Sequence, residues 1–78
     1  MIDDVKLNQV ISNVLGIPIE DINDNISPDN VEKWDSLSHL NLIMAIEAEF
    51  DILLTPEDSM DMLSVKLIRM ILSDALNS

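Results

Sequence analysis

The chain has 78 residues, of which 47% are hydrophobic, and 15 acidic against 4 basic residues give it a formal net charge of -11. That length allows one small domain, which we expect to span residues 1–78. The absence of cysteine excludes disulfides, cysteine-ligated metals and a cysteine nucleophile. So acidic a chain repels nucleic-acid phosphates and attracts basic protein surfaces, and we expect no nucleic-acid binding.

The sequence shows no targeting or membrane segment. Two of its first four residues are aspartates, whereas a signal peptide opens with a basic stretch and an apolar run. Its longest uninterrupted apolar run is only a few residues, far below the roughly 20 that span a bilayer. We therefore expect a cytoplasmic protein that does not insert into membranes.

A first helix is predicted over residues 4–15 from apolar residues at helical spacing. Asp3 or Asp4 can cap its start, and Gly16 is expected in a left-handed conformation at its end. A connection follows over residues 17–35, and a connection this long is uncommon unless it is functional or packed. Its spaced apolar residues predict packing onto the core: Ile19, Ile22, Ile26, Val31 and Trp34.

A second helix is predicted over residues 36–50, with Asp35 as its N-cap. One apolar stripe of this helix comprises Leu42, Ile43, Ile46 and Phe50. A second stripe beside it comprises Leu37, Leu40 and Met44. Periodicity alone favours burial of both stripes, and the alternative is that Leu37 and Met44 are exposed and contact partners.

Two more helices are predicted in the last third of the chain. A short one starts at Pro56, with Thr55 as N-cap and Asp58 in the first turn. The other follows Ser64, its N-cap, and its apolar face comprises Val65, Leu67, Ile68, Ile71, Leu72 and Leu76. The predicted fold is an all-α four-helix bundle with three longer helices, one short helix and a long loop between the first two.

Catalytic candidates are few. His39 is the single histidine, and a lone histidine beside an apolar stripe is usually structural. Ser36 lies three residues before it, but no orienting third group or oxyanion hole accompanies the pair. We therefore expect that the protein is not an enzyme.

Residues 21–32 match the oxygen-ligand spacing of an EF-hand calcium loop. The sixth position, where such a loop turns sharply, holds the β-branched Ile26 in place of glycine, and Pro28 follows. We therefore expect no metal site, with calcium binding by a helical module as the alternative.

The most informative residues lie at the start of the second helix, where residues 34–37 read Trp-Asp-Ser-Leu. A serine in the first helical turn presents its hydroxyl near backbone N–H groups that have no partner inside the helix. A phosphodiester attached to Ser36 would be stabilised there, beside apolar residues that could receive its cargo. The plain alternative is an ordinary capped helix start in a cofactor-free interaction domain.

With these residues, the chain resembles the acyl carrier proteins, which are the phosphopantetheine-binding domains of fatty acid, polyketide and nonribosomal peptide synthesis. The resemblance covers nearly the whole chain and is most specific over residues 35–50. It implies that a transferase attaches 4'-phosphopantetheine from coenzyme A to Ser36, flanked by Asp35 and Leu37. The thiol of the arm would carry an acyl or aminoacyl group as a thioester, which accounts for the missing cysteine.

The resemblance also implies partners. A phosphopantetheinyl transferase, and acyl-loading and acyl-transfer or synthase enzymes with basic surfaces, would contact Leu37, Leu40, Met44 and Glu47. It therefore favours exposure of Leu37 and Met44 over the burial that periodicity predicts. The protein itself is expected to be a monomer.

Two departures from the fatty-acid carriers concern the subtype. Those carriers usually have a Leu-Gly pair shortly before Asp-Ser-Leu, where this chain has Glu32, Lys33 and Trp34. They also tend to be acidic early in the second helix, where this chain has Ser38, His39 and Asn41. Both differences favour a specialised stand-alone carrier in a dedicated pathway.

Overall fold

A computed structural model describes residues 3–77. Within that range the chain forms four α-helices and no strand: α1 (Asp4–Leu15), α2 (Ser36–Phe50), α3 (Pro56–Asp61) and α4 (Val65–Asn77). A single turn of 3-10 helix, Ile19–Asp21, interrupts the long loop between α1 and α2. The predicted all-α bundle of three longer helices and one short helix is confirmed. No helix among the described residues is long and apolar enough to cross a bilayer.

Side-chain caps set where the helices begin. Asp3, rather than Asp4, caps α1, because its carboxylate accepts a hydrogen bond from the N–H three residues later at 3.1 Å. At α3, the Thr55 hydroxyl accepts from the Asp58 N–H at 3.0 Å, and the Asp58 carboxylate accepts from the Thr55 N–H. The Ser64 hydroxyl accepts from the N–H three residues later at the start of α4. Each such cap stabilises a helix by about 1 kcal/mol.

Left-handed residues end α1 and α2. Gly16 has a φ of 69°, as predicted, and its N–H donates to the Ser12 carbonyl at 2.8 Å. Asp51 holds the same position after α2 with a φ of 54°. Aspartate tolerates this region better than most residues, but glycine adopts it without steric cost. The Lys33 ammonium donates to the Gly16 carbonyl at 3.1 Å and joins the end of the loop to the end of α1.

The core lies between α1, α2, α4 and the residue that follows α3. Its fully buried side chains are Leu7, Ile11, Leu42, Ile46, Met62, Val65, Ile68 and Leu72. Phe50 and the predicted face of α4 at Ile71 and Leu76 are only partly buried. Leu67 is exposed, contrary to prediction, because it lies two residues after Val65 and so points away from the face of Val65 and Ile68.

The loop over residues 17–35 packs against the core, as its apolar residues predict. Trp34 and Ile22 are buried, and Ile26 and Val31 are partly buried against the core. The first N–H of α4 donates to the Ile26 carbonyl at 2.9 Å, so the loop is also joined to α4. Ile19 is the exception. It lies in the 3-10 turn, none of whose side chains is buried, and it is exposed.

The second apolar stripe of α2 is exposed. Leu37, Leu40 and Met44 are 68%, 57% and 56% exposed, and we call these three residues the α2 strip. The burial predicted from periodicity is therefore wrong, and the exposure implied by the family resemblance is confirmed. The physical reason is that the loop packs its apolar residues onto the core and leaves this side of α2 uncovered.

Charged contacts connect the elements outside the core. The Arg69 guanidinium contacts the carboxylates of Asp4 in α1 and Asp24 in the loop, the former at 2.9 Å. The Lys6 ammonium lies 3.9 Å from the Glu49 carboxylate. These groups are partly exposed, so each pair contributes at most about 1 kcal/mol. Two of the four basic residues of the chain thus hold α1 to α2 and to α4, and α4 to the loop.

Ile46 offers a direct test of the core. Ile46→Ala should lower the free energy of unfolding by about 2–5 kcal/mol, because the buried side chain leaves a cavity. Ile46→Val should cost about 0.5–1.5 kcal/mol and keeps the test open if the alanine variant does not fold. Leu53, which is 91% exposed, is the control, and Leu53→Ala should change stability by less than about 0.5 kcal/mol. Urea denaturation measures the free energy of unfolding of all three variants. Equal losses of stability for Ile46→Ala and Leu53→Ala would contradict the placement of Ile46 in the core.

Candidate functional site

Asp35 holds the start of α2. Its backbone is extended, with φ at -96° and ψ at -173°, and its carboxylate accepts from the Ser38 N–H at 2.8 Å. Its own carbonyl accepts from the His39 N–H at 2.8 Å, which closes the first turn of the helix. The hydrogen bond from the Ser38 backbone holds the pKa of the Asp35 carboxyl below its ordinary value. Asp35 is thus an ionised N-cap, as predicted.

Ser36 is the first residue of α2 and is exposed. The position is the positive end of a 15-residue helix, whose first N–H groups lack partners within the helix. An anion attached to the Ser36 hydroxyl is therefore favoured electrostatically. Ser38, the competing serine, is less exposed, and its N–H is bound by Asp35.

Trp34, His39 and Ser59 connect the loop, α2 and α3 directly beside Ser36. The Trp34 indole N–H donates to His39 Nδ1 at 3.0 Å, and His39 Nε2 lies 2.8 Å from the Ser59 carbonyl oxygen. An indole only donates and a carbonyl only accepts, so this network requires a neutral imidazole with its proton on Nε2. The two rings also stack, with centroids 6.1 Å apart. We call this set of contacts the His39 bridge, and it gives His39 the structural role that was predicted.

A pocket of about 380 Å³ adjoins the Ser36 side chain. The lining residues come from the loop, from the first turn of α2 and from the residues after α3: Pro28, Trp34, Asp35, Ser36, His39 and Leu63. The sequence offered no signal for Pro28 and Leu63, because neither belongs to a helical stripe. The pocket places an apolar surface next to the one exposed hydroxyl at the start of α2.

Glu47 has a different environment from the α2 strip. Its carboxylate accepts from the Leu54 N–H at 2.9 Å and it is partly buried. Glu47 therefore holds the connection between α2 and α3 in place. Its contact with partners stays a prediction, whereas its structural bond was not visible in the sequence.

The charged residues in the segment around this site are all acidic. Residues 34–65 contain no lysine or arginine, and all four basic residues lie outside it: Lys6, Lys33, Lys66 and Arg69. The acidic residues of the segment are Asp35, Glu47, Glu49, Asp51, Glu57, Asp58 and Asp61. The segment that contains Ser36 and the α2 strip therefore favours contact with basic surfaces.

Three polar side chains of the candidate calcium loop, Asn23, Asp24 and Asn30, are used in local contacts, and of these only Asn23 holds a ligand position of the calcium pattern. The Asn23 side chain accepts from the N–H two residues later at 2.8 Å, and the Asn30 side chain accepts from the N–H three residues earlier at 3.0 Å. The Asp24 carboxylate is paired with Arg69. Among residues 3–77, no three His, Cys, Asp or Glu side chains are grouped to hold a metal ion. The calcium alternative is therefore not favoured.

Comparison with known proteins establishes the family of the chain. The model of the phosphopantetheine attachment site family matches residues 5–68. The acyl carrier protein of Buchnera aphidicola subsp. Schizaphis graminum (strain Sg) is 44% identical over 54 residues, which cover 69% of this chain and 68% of that protein. The chain belongs to the acyl carrier protein family. Phosphopantetheine is the group that this family binds.

The start of α2 fits the cofactor of the acyl carrier protein family. A phosphopantetheine arm needs an accessible hydroxyl, and the Ser36 side chain is exposed. Its phosphodiester is an anion, which the N-terminus of α2 favours. Near the phosphate the arm carries an apolar gem-dimethyl group followed by a hydroxyl and an amide, and the adjoining pocket offers both apolar residues, Pro28, Trp34 and Leu63, and polar ones, Asp35 and His39.

The Asp35 cap should make stability depend on pH. Because the pKa of Asp35 is lower in the folded than in the unfolded chain, its stabilisation is complete above the unfolded pKa of about 4. It is lost as the pH falls through the lower, folded pKa. Asp35→Ala should therefore lower Tm at pH 7, and its difference from the wild type should shrink as the pH falls below about 4.

Asp29→Ala is the matched control, because it removes the same charge from an exposed loop position. Thermal unfolding followed by circular dichroism measures all three proteins across the pH range. A deficit for Asp35→Ala that stays constant down to the lowest pH, or one that Asp29→Ala shares, would contradict the role of the ionised cap.

Proposed function

We propose that this protein is an acyl carrier that holds acyl or aminoacyl intermediates as thioesters on a 4'-phosphopantetheine arm attached to Ser36. The observation that supports Ser36 most directly is its exposed hydroxyl at the first position of α2, immediately after the Asp35 cap. It lies inside the range that the family model matches. Ser38 is less suited, because it lies further into the helix and is less exposed.

The chain contributes the nucleophile for its own loading. The Ser36 hydroxyl gives up its proton to a base of the transferase, and its oxygen bonds to the phosphorus of coenzyme A that carries the pantetheine. The phosphoanhydride bond from that phosphorus to the adenosine side breaks, and 3',5'-ADP leaves. Asp35 does not react, and it orders the first turn of α2 so that the serine is presented in one orientation.

The arm, once attached, supplies the thiol that the cysteine-free chain lacks. The protein then acts by tethering, because cargo attached to a docked carrier reaches a partner's active site at a high effective concentration. The chemistry on the cargo belongs to the partners, so the protein is a carrier rather than an enzyme. It acts as a monomer in this proposal.

Partner enzymes are proposed to dock on the α2 strip. A phosphopantetheinyl transferase, and enzymes of acyl loading and acyl transfer, would bury Leu37, Leu40 and Met44 against apolar residues of their own. Basic residues around that patch would meet the acidic segment 34–65, which speeds association at low salt. Glu47 lies on the same helix, and we propose that it meets such a basic residue while it holds the Leu54 N–H.

The first turns of α2 support a specialised pathway. Ser38, His39 and Asn41 carry no negative charge there, so recognition near Ser36 depends less on charge than on shape. His39 is also engaged in the His39 bridge, which ties this part of α2 to the loop and to α3. We propose a dedicated biosynthetic pathway with its own partners.

Loading by a transferase tests the proposal. The purified chain, incubated with coenzyme A, magnesium and a broad-specificity phosphopantetheinyl transferase, should gain the mass of one phosphopantetheinyl group. Ser36→Ala should gain none, because the attacking oxygen is missing. Intact-mass spectrometry gives both results.

Ser38→Ala is the matched control and should load like the wild type. Circular dichroism confirms that each variant is folded, since both serines lie outside the core. Loading of Ser36→Ala, or failure of the folded wild type with several transferases, would leave Ser36 as a simple helix residue and would overturn the proposal.

A further inference from the structure

The exposed Ser36 hydroxyl belongs to a segment of the chain whose two ends are held together. Trp34 precedes the serine and His39 follows it, and their side chains meet across it. The indole N–H donates to His39 Nδ1 at 3.0 Å, and the two rings stack with their centroids 6.1 Å apart. We call residues 34–39 the closed segment.

Backbone groups of the closed segment are bound as well. The His39 N–H donates to the Asp35 carbonyl at 2.8 Å, and the Ser38 N–H donates to the Asp35 carboxylate at 2.8 Å. None of these contacts uses the Ser36 side chain, which stays exposed between them. The segment is therefore ordered before any partner arrives, and the entropy of ordering it is not lost when the serine reacts.

The closed segment is also attached to two separate parts of the fold. His39 Nε2 lies 2.8 Å from the Ser59 carbonyl oxygen of α3. At the other end, Trp34 is only 2% exposed and anchors the segment in the core. A rotation of the segment that moved Ser36 would have to break the bond to α3 and pull the indole out of the core. A partly buried group that loses its partner carries a desolvation penalty, which opposes that movement.

From this arrangement we propose that His39 is a positioning residue for the loading of Ser36. The inference rests on the proposed function and adds to it the group that holds the reacting serine in place. The Ser36 oxygen bonds to the phosphorus of coenzyme A as the phosphoanhydride bond breaks, and the rate of such a step depends steeply on placement. His39 takes no part in these bond changes. It acts through Trp34, whose hydrogen bond to Nδ1 closes the segment.

Positioning and docking change different quantities, which makes the proposal testable. The α2 strip is proposed to set how tightly the transferase binds, whereas the closed segment sets how fast the bound serine reacts. Single-turnover loading with the transferase in excess and coenzyme A saturating separates the two. It gives the maximal rate of the bound complex and the transferase concentration at which half of that rate is reached, and intact mass follows the product.

Two variants remove the closing hydrogen bond from opposite sides. Trp34→Phe keeps an aromatic ring but removes the donor, and His39→Ala removes the acceptor. Each should lower the maximal rate by about tenfold or more and change the half-saturating concentration by less than about twofold. His39→Asn should recover most of the rate, because its Oδ1 stands at the place of Nδ1 along the side chain and accepts from the same indole N–H.

Two further variants are the controls. Ile46→Val weakens the core away from the closed segment and should leave both quantities unchanged, which separates positioning from a general loss of stability. Met44→Ala, in the α2 strip, should raise the half-saturating concentration and leave the maximal rate unchanged. Circular dichroism at the assay temperature shows whether each variant is folded. If His39→Ala does not fold, Trp34→Phe and His39→Asn decide against the wild type.

Nitrogen NMR tests the bridge in solution. At mildly alkaline pH the imidazole nitrogen signals of the wild type should show the proton on Nε2 and none on Nδ1, because the indole can only donate. A proton on Nδ1 would mean that the bridge is absent and would overturn the proposal.

The kinetic results can contradict the role of His39 in three ways. These are a wild-type maximal rate in folded Trp34→Phe and His39→Ala, an effect on the half-saturating concentration alone, and a loss that His39→Asn does not recover. Normal loading of these variants leaves the carrier function intact and overturns only the positioning role. Absence of any mass gain in the folded wild type overturns the carrier function at Ser36 itself.

Discussion

The burial of Trp34 determines how the rest of the site is built. The indole anchors the end of a long loop in the core and donates its N–H to His39, one turn into the following helix. With Trp34 held inside, the next residue, Asp35, is at the surface and caps α2, and Ser36 follows as an exposed first residue. The burial of Trp34 and the cap of Asp35 together place Ser36 at the surface as the first residue of α2.

A second constraint is the balance between charge and a small core. A net charge of -11 on 78 residues favours expansion, and the chain has no disulfide to oppose it. Lys6 and Lys33 each bridge two segments of the bundle, and Arg69 of α4 contacts both α1 and the loop. These cations lie outside residues 34–65, the segment that contains Ser36 and has no lysine or arginine.

The residues of α2 divide into those that hold the fold together and those that are exposed. Leu42 and Ile46 fill the core, His39 joins α2 to the loop and α3, and Glu47 secures the turn towards α3. The α2 strip makes no comparable contribution to the interior and is exposed. A helix with apolar residues on two sides therefore packs with one side and presents the other. The proposed docking of partner enzymes uses that second side.

Local chemistry in the sequence determined where the helices lie, which residues cap them and that Ser36 is the first residue of α2. Asp35, Thr55, Pro56 and Gly16 act through bonds and torsions within a few residues, so their roles can be read from neighbouring letters. Tertiary structure alone decided which stripe of α2 is buried, that Arg69 meets Asp4 and Asp24, and that His39 bonds to Trp34 and Ser59. The physical reason is that helical periodicity shows which residues are apolar on each face, but not which face another segment covers. That choice depends on contacts between residues far apart in the chain, such as those that draw the loop onto the core.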